Sequence, residues 1–272
     1  MLNIENLRCE NLIDPLCIDA TQPRLSWTLA SPQRGKLQTA YRILVASTAE
    51  LLAANTGDLW DSGRLESSQS AQNNYGGETI VSFRQHFWKV CVWDEAGELS
   101  EWSAVAEWSA GVLREDDWQA ETIARARQPS TSGPLPRFRH AFDLEKPIAR
   151  AVLYSAGMGF HEMFVNGGKV GDEVLAPLWT NYRETVFYVA HDITDQLQQG
   201  SNVVAGELGN GFYNVAGGRY VKFTSSFGTL MLRAMIRIEH SDGSVSFVGT
   251  NQGMEVEHWA DGLLLHSRWR GL

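Results

Sequence analysis

The chain has 272 residues, of which 43% are hydrophobic and 20% charged, and its formal net charge is -9. This composition is typical of a globular protein of about two domains and excludes a disordered chain. Acidic and basic residues are interspersed, which argues against nucleic-acid binding, and no apolar run approaches the roughly eighteen residues that a membrane-spanning helix needs.

The N-terminal residues and the three cysteines indicate the cellular compartment of the protein. Residues 1–15 have neither the basic segment nor the apolar segment of a signal peptide. Cys9, Cys17 and Cys91 show no CxxC spacing, which is typical of free thiols in a reducing compartment. We therefore expect a cytoplasmic protein, although a secreted chain without its signal would have the same sequence.

Residues 1–113 predict short strands separated by turns, with almost no helix. Ser47 is placed to cap one helical turn over residues 48–54. Many short strands indicate an all-β sandwich, and their order is that of a fibronectin type III-like domain, which is usually a spacer or a binding platform. The predicted strands are Arg24–Leu29, Tyr41–Ala46, Phe87–Trp93 and Trp102–Trp108.

Residues 114–136 change in character and predict a linker. They are charged at first and then rich in proline, serine and glycine, a composition that favours an exposed, extended chain over Arg127–Pro136. Trp118 precedes this stretch, and we expect it to pack on one of the two flanking domains.

From residue 137 to residue 272 a second strand series predicts a jelly-roll sandwich. Asn166-Gly167-Gly168 and Asp242-Gly243 predict hairpin turns, because asparagine, aspartate and glycine tolerate positive φ. A helical turn is expected at Asp195–Gln199, stopped by Gly200. The predicted strands are Arg137–Leu144, Ile148–Ser155, Phe160–Val165, Glu184–Asp192, Asn202–Leu208, Thr229–His240 and Ser244–Gly249.

No catalytic residue is predicted. The sequence has no GxSxG, HExxH or P-loop motif, and its seven histidines are dispersed singly. Carboxylates on or near the predicted strands are scattered, as is typical of solvated or turn-capping groups rather than of a glycosidase pair. These carboxylates are Glu162, Asp172, Glu173, Glu184, Asp192 and Glu207.

Two segments, residues 177–182 and 210–213, combine aromatic and amide side chains. An aromatic face covers the apolar C–H surface of a sugar while amides bind its hydroxyls, so these segments are candidates for carbohydrate binding. Oxygen atoms of Asn166 and Asp172, with Asn181, are of the kind that calcium prefers. In the alternative, to which we give equal weight, the aromatic side chains pack in the core and the amides only cap turns. The candidate sugar-binding residues are Trp179, Asn181, Tyr182, Asn210, Phe212 and Tyr213.

The same segments resemble a known family, the bacterial α-L-rhamnosidases of glycoside hydrolase family 78. The second half is similar to their N-terminal β-sandwich domain, which is related to a rhamnose-binding module. The first half resembles the preceding fibronectin-like domain through PRLSW, QTAYRILVAS, GDLWDSG, FWKVCVWD and WSAVAEW. The matching residues of the second half include Asn166-Gly167, Val170-Gly171-Asp172, Pro177, Trp179-Thr180, Tyr182, Asp192-Ile193-Thr194, Leu208-Gly209, Gly211 and Tyr213.

The resemblance runs from about Asn3 to Thr250, and the sequence departs from the family after Asn251. Cys17, Cys91 and Phe212 also stand where the family usually has glycine, arginine and tryptophan.

The resemblance implies that catalysis, the hydrolysis of terminal α-L-rhamnosides, belongs to an (α/α)6 barrel that this sequence lacks. We therefore expect a chain that is inactive alone and that binds rhamnose or a related sugar through its second domain, with calcium as a possible aid. The alternative is a structural or interaction module without a ligand, in which exposure of Leu263-Leu264-Leu265 would favour self-association.

Overall fold

The computed structural model describes residues 1–124, 135–215 and 227–258, and at residues 256–258 it describes the backbone alone. The chain divides into two compact units, Met1–Asp117 and Trp118–Leu272. Nearly all of the regular elements are strands, so the predicted all-β fold with two sandwiches is confirmed. None of the helices found in these ranges is long and apolar enough to cross a membrane.

The first unit has two antiparallel sheets. Its strands are β1 (Asn3–Cys9), β2 (Arg24–Ala30), β3 (Gln38–Ala46), β4 (Trp60–Asp61), β5 (Leu65–Glu66), β6 (Asn73–Asn74), β7 (Gln85–Asp94) and β8 (Ala106–Ser109). One sheet has the order β1-β2-β6, and the other has the order β4-β3-β7-β8 with β5 paired to β3. The four predicted strands correspond to β2, β3, β7 and β8, although β8 begins at Ala106 rather than Trp102. The sequence did not predict β1, β4, β5 or β6.

Alternating side chains join the two sheets of the first unit into one core. Successive residues of a strand point to opposite faces, so Trp88 and Val90 of β7 share the inward face. Both are fully buried, and they belong to the same apolar cluster as Leu25 and Trp27 of β2. Two sheets that share one cluster form a sandwich.

Thr48, rather than Ser47, caps the helix α1 (Ala49–Ala53). The Thr48 hydroxyl accepts a hydrogen bond from the backbone N–H of Leu51 at 3.3 Å. Ser47 instead binds Asp58, to which its hydroxyl donates at 2.6 Å and its backbone N–H at 2.8 Å. The prediction of Ser47 as the cap was wrong, because the Ser47 hydroxyl is hydrogen-bonded to Asp58, 11 residues later in the sequence.

The second unit also has two sheets. Its elements are β9 (Ile123–Ala124), β10 (Pro136–Leu144), β11 (Ile148–Met158), β12 (Phe160–Val165), β13 (Gly168–Lys169), β14 (Val189–Asp192), a 3-10 turn at Thr194–Gln196, β15 (Gly200–Gly209), β16 (Met231–His240), β17 (Val245–Gly249) and β18 (Glu255–His258). One sheet has the order β13-β12-β15-β10-β18. The other has the order β14-β11-β16-β17, with β9 paired to β16.

Inward residues of both sheets form a single core in the second unit. Phe138 of β10 and Leu208 of β15 lie in one apolar cluster with Leu153 of β11 and Ile236 of β16. All four side chains are at most 1% exposed. The core therefore lies between the sheets, and the loops at the sheet edges are left to carry other functions.

Both predicted hairpins are present, whereas one predicted strand is shorter than expected. Asn166 and Gly167 have φ of 48° and 83° in the β12–β13 turn, and Gly243 has φ of 82° in the β16–β17 turn. Strand pairing in the predicted range Glu184–Asp192 begins only at Val189. The N–H groups of Glu184 and Thr185 both donate to the carbonyl of Asn181 at 2.9 Å, which closes a turn instead.

The predicted linker has structure at both of its ends. A 3-10 turn covers Glu115–Asp117, β9 covers Ile123–Ala124, and β10 already begins at Pro136. The Trp118 ring makes an edge contact with the Tyr188 ring at 5.5 Å, so this side chain packs on the second unit. Residues 125–134, which include most of the predicted extended stretch, lie outside the described residues.

Candidate carbohydrate-binding surface

The long β13–β14 loop (residues 170–188) carries five of the ten large apolar side chains that are exposed in the described part of the second unit. Val170 and Pro177 are buried and fix the loop to the sandwich. Single exposed apolar side chains are normal on protein surfaces, whereas several of them grouped on one loop are typical of a contact surface. The five are Val174, Leu175, Leu178, Trp179 and Phe187, with exposed fractions of 76%, 59%, 75%, 59% and 48%.

Local backbone geometry explains why these residues leave the sheet. Gly171 has φ of 71° and Leu175 has φ of 64°, values that strand residues do not adopt. Leucine rarely takes a left-handed conformation, so the surrounding contacts must hold it there. The chain between these points turns outward rather than pairing with β12.

Polar contacts also attach the loop to the sandwich. The backbone N–H of His161, at the start of β12, donates to the carbonyl of Ala176 at 2.8 Å. His191 Nε2 on β14 lies 2.8 Å from Glu173 Oε2. Burial tends to raise the pKa of Glu173, but hydrogen bonds from His191 and from the backbone outweigh it, and the pKa is lowered.

Trp179 and Phe212 form an aromatic platform, defined here by these two side chains. Their ring centroids lie 5.1 Å apart with an interplanar angle of 26°, and Phe160 supports Phe212 from below through an edge contact at 6.0 Å. Among the tryptophans of the described residues, Trp179 is the exposed one. One ring face thus rests on protein, and the side chain as a whole stays open to solvent.

Tyr182, Tyr213 and Phe227 form a second aromatic group. Tyr182 contacts Tyr213 at 5.1 Å and Phe227 at 5.5 Å between ring centroids. Tyr213 is only 5% exposed, and burial raises the pKa of both tyrosines. The predicted aromatic residues therefore divide into the exposed Trp179 and Phe212 and the tyrosines Tyr182 and Tyr213, which pack on the core. Phe227 beside the tyrosines is itself 40% exposed.

The two predicted amides differ in their freedom to bind a sugar. Asn210 accepts two hydrogen bonds from Asn214, through its side chain at 3.1 Å and its carbonyl at 3.0 Å, and so closes the turn after β15. Asn181 is exposed, and its Oδ1 accepts from the N–H of Arg183 at a long 3.4 Å. Asn181 is the amide that the structure places in solvent close in sequence to Trp179.

Of the two residues predicted to bind calcium, Asn166 is hydrogen-bonded to protein and Asp172 is exposed. The Asn166 side chain donates to the Gln196 carbonyl at 2.8 Å and to Asn202 Oδ1 at 2.9 Å, and its Oδ1 accepts from the N–H of Val203 at 2.9 Å. Asp172 is exposed in the β13–β14 loop. Across residues 1–124, 135–215 and 227–258, no group of three or more His, Cys, Asp or Glu residues could hold a metal ion. Calcium binding stays a prediction without structural support.

Several titratable groups of the second sandwich are paired with one another. Glu162 pairs with Lys169 at 2.8 Å, and Glu207 pairs with Arg137. The pKa of Glu207 is raised above its ordinary value, because the effect of burial exceeds the opposing effect of the Arg137 guanidinium. Ser155 Oγ lies 2.8 Å from His161 Nε2, but the two residues are 0% and 5% exposed, so a substrate cannot reach this pair.

Sequence reasoning missed the residues that support the surface. Phe160 lies under Phe212, Phe227 lies beside Tyr182, and Glu173 and His191 attach the loop. Glu173 was noted only as a scattered carboxylate. No local pattern joins it to a histidine eighteen positions later, because the contact depends on how the loop returns to β14.

Comparison with known families identifies both units. Residues 4–114 match the family described as Rha78A-like, N-terminal immunoglobulin domain, and residues 146–267 match the alpha-L-rhamnosidase N-terminal domain. The chain carries the two N-terminal domains of the α-L-rhamnosidase family. The second match continues to residue 267, so the family likeness extends past Asn251, where the sequence was expected to depart from it.

Full-length members of the family are much longer than this chain. An α-L-rhamnosidase of Formosa agariphila is 32% identical over 262 residues, which cover 86% of this chain and 27% of that protein. One from Alteromonas sp. (strain LOR) is 31% identical over 258 residues, covering 91% and 28%. The solved α-L-rhamnosidase structure from Dictyoglumus thermophilum superposes with a TM-score of 0.84 at 30% identity, covering 94% of this chain and 30% of that chain. The chain thus spans less than a third of these relatives.

Proposed function

We propose that this chain is a non-catalytic accessory part of an α-L-rhamnosidase, and that its second unit binds rhamnose or a related sugar through the aromatic platform. The family membership of both units supports the first part of this proposal. The second part rests on the surface of the β13–β14 loop, which presents Trp179 and Asn181 to solvent.

The observation that carries the sugar proposal is the exposure and support of Trp179. The side chain is 59% exposed, and its ring is stacked on Phe212 at 5.1 Å, which fixes the plane of the ring. A fixed aromatic plane with an open face suits the flat C–H surface of a sugar ring. The exposed amide of Asn181 supplies a donor and an acceptor for sugar hydroxyls.

The test is a calorimetric titration of the chain with L-rhamnose. We expect weak binding that Trp179→Ala weakens by about tenfold, equivalent to ~1.4 kcal/mol. The matched control is Trp93→Ala, which removes a half-buried tryptophan of the first unit that lies under Arg64. Its affinity for rhamnose should equal that of the wild type. An equal loss of rhamnose affinity in Trp179→Ala and Trp93→Ala contradicts sugar binding at the platform. The absence of any heat when the wild-type chain is titrated to high rhamnose concentration contradicts it as well.

The non-catalytic part of the proposal has a separate test. The purified chain is incubated with an aryl α-L-rhamnoside and the released aryl alcohol is measured. We expect no release above the buffer rate. Release that Trp179→Ala leaves unchanged would show a catalytic site elsewhere in the chain and overturn this part.

A second candidate function, an interaction module, is favoured by the aliphatic side chains beside the platform. Val174 and Leu178 are 76% and 75% exposed, and exposed apolar side chains that form a patch mark sites of interaction with other proteins. Sedimentation of the wild type and of Leu178→Ser separates the two candidates. A concentration-dependent dimer that Leu178→Ser dissociates, together with no sugar binding, supports the interaction module.

A further inference from the structure

We infer that Glu173 and His191 form a latch that positions the β13–β14 loop, and with it Trp179, for binding. The latch is defined by the contact of 2.8 Å between Glu173 Oε2 and His191 Nε2. Its role in affinity rests on the proposed sugar site, but its role in holding the loop does not. Both residues are positioning residues, since neither belongs to the platform.

His191 provides a rigid support for the latch. It lies on β14, which pairs with β11, and the register places it opposite Leu153 of the core. Its side chain is only 15% exposed, whereas that of Glu173 is 48% exposed. His191 Nδ1 has no hydrogen-bond partner among the described residues, so the hydrogen bonding of this ring depends on Glu173.

The loop backbone passes so close to the latch that a side chain does not fit beside it. Gly171 has φ of +71°, and a Cβ atom there would lie 2.3 Å from Glu173 Oε2 and 2.5 Å from His191 Nε2. A glycine at this point permits both the left-handed conformation and the close approach. The backbone and the two side chains therefore fit together as one unit.

Two further contacts carry the effect of the latch toward the platform. Lys169 Nζ donates to the carbonyl of Glu173 at 3.2 Å and binds Glu162 Oε1 at 2.8 Å. The Ala176 carbonyl then accepts from His161 N–H at 2.8 Å, and the buried Pro177 follows. Trp179 comes directly after these fixed points, so its position depends on how firmly residues 173–177 are held.

The latch contributes little to the stability of the sandwich itself. The Glu173 side chain is 48% exposed, and a polar contact open to solvent adds little to the free energy of unfolding. Breaking their contact should therefore loosen the loop without unfolding the unit. If the binding-competent loop becomes a minor conformer, the apparent affinity falls by the same fraction.

The experiment compares latch variants with a matched ion-pair control. Glu173→Ala and His191→Ala remove the contact, while Glu173→Gln keeps an oxygen that can accept from His191. Lys146→Ala breaks the Lys146–Asp242 ion pair, which has a similar length of 2.9 Å and lies on the same unit. For L-rhamnose, we expect the dissociation constant to rise about fivefold in both alanine variants, and to stay near the wild-type value in Glu173→Gln and Lys146→Ala.

A second measurement reads the loop directly, without sugar. The chain is labelled with 5-fluorotryptophan, and Trp179→Phe identifies the resonance of Trp179. We expect this resonance to shift or broaden in both alanine variants and to return to its wild-type position in Glu173→Gln. An unchanged resonance in the alanine variants overturns the latch, as does an equal affinity loss in Lys146→Ala. A wild-type chain that binds no sugar while its Trp179 resonance still responds to the latch overturns only the proposed function.

Discussion

Both units of this chain contain stacked aromatic rings, and the stacked pair with the shortest centroid distance in each unit differs in exposure. In the first unit His86 and Trp108 stack at 4.7 Å with an interplanar angle of 1°, and the residues are 1% and 0% exposed. In the second unit Trp179 and Phe212 stack at 5.1 Å, and they are 59% and 42% exposed. The buried pair stabilises its sandwich, whereas the exposed pair is available for binding.

The difference follows from where each pair originates in the fold. His86 of β7 and Trp108 of β8 are partners in a strand ladder, so sheet register alone brings the rings together. Trp179 lies in the β13–β14 loop, and Phe212 lies in the turn after β15. Loops run over the surface and are where binding residues concentrate.

The largest effect should come from removing the buried ring. Trp108→Ala leaves a cavity in a close-packed core, and we expect the free energy of unfolding to fall by about 3–5 kcal/mol. Urea denaturation followed by circular dichroism measures this change. Trp179→Ala is the matched comparison and should cost under about 1 kcal/mol, because its ring is exposed. Similar losses of unfolding free energy in Trp108→Ala and Trp179→Ala would contradict the view that only the buried pair stabilises its sandwich.

Acid should weaken both sandwiches through one buried histidine in each. Burial lowers the pKa of His86 and of His161 to about 4, below the value near 6.5 of an unfolded chain. The unfolded state therefore binds more protons between these values. Stability is fully present above about pH 6.5 and falls toward pH 4, by up to about 3 kcal/mol for each histidine.

Urea denaturation at intervals between pH 7 and pH 4 measures this dependence. His86→Phe keeps a ring against Trp108 and cannot be protonated, so its stability should fall less steeply than that of the wild type. Parallel pH profiles for the two proteins would show that His86 does not carry the effect.

A smaller effect is expected at the hairpin residue Asn166. Asn166→Ala removes hydrogen bonds to Gln196, Asn202 and Val203, and we expect the free energy of unfolding to fall by about 2 kcal/mol. The loss should be the same with calcium and with a chelator, because the side chain already bonds to protein. A wild-type melting temperature that rises with calcium and no longer rises in Asn166→Ala would instead support the predicted calcium site.

The sequence predicts the strands well and the site only in part. The alternation of apolar and polar residues predicts the bounds of β7 and β12 to within two residues. This is because every second side chain, such as Trp88 or Met163, must point into a core. The alternation of apolar and polar residues does not reveal that Thr48 rather than Ser47 caps the helix. That outcome depends on the hydrogen bond between Ser47 and Asp58, which are 11 residues apart. Alternation likewise cannot separate the exposed Trp179 from the largely buried Tyr213, since the two have similar local surroundings in sequence. Exposure is a property of the folded loop.

The pairing of β18 with β10 has a practical consequence for work with the second unit alone. Strand β10 would otherwise form an edge of its sheet, with backbone N–H and C=O groups free to pair with another molecule. A shortened chain that stops before Glu255 leaves that edge uncovered and invites strand-to-strand aggregation. Preparations of this unit for binding studies should therefore extend beyond His258.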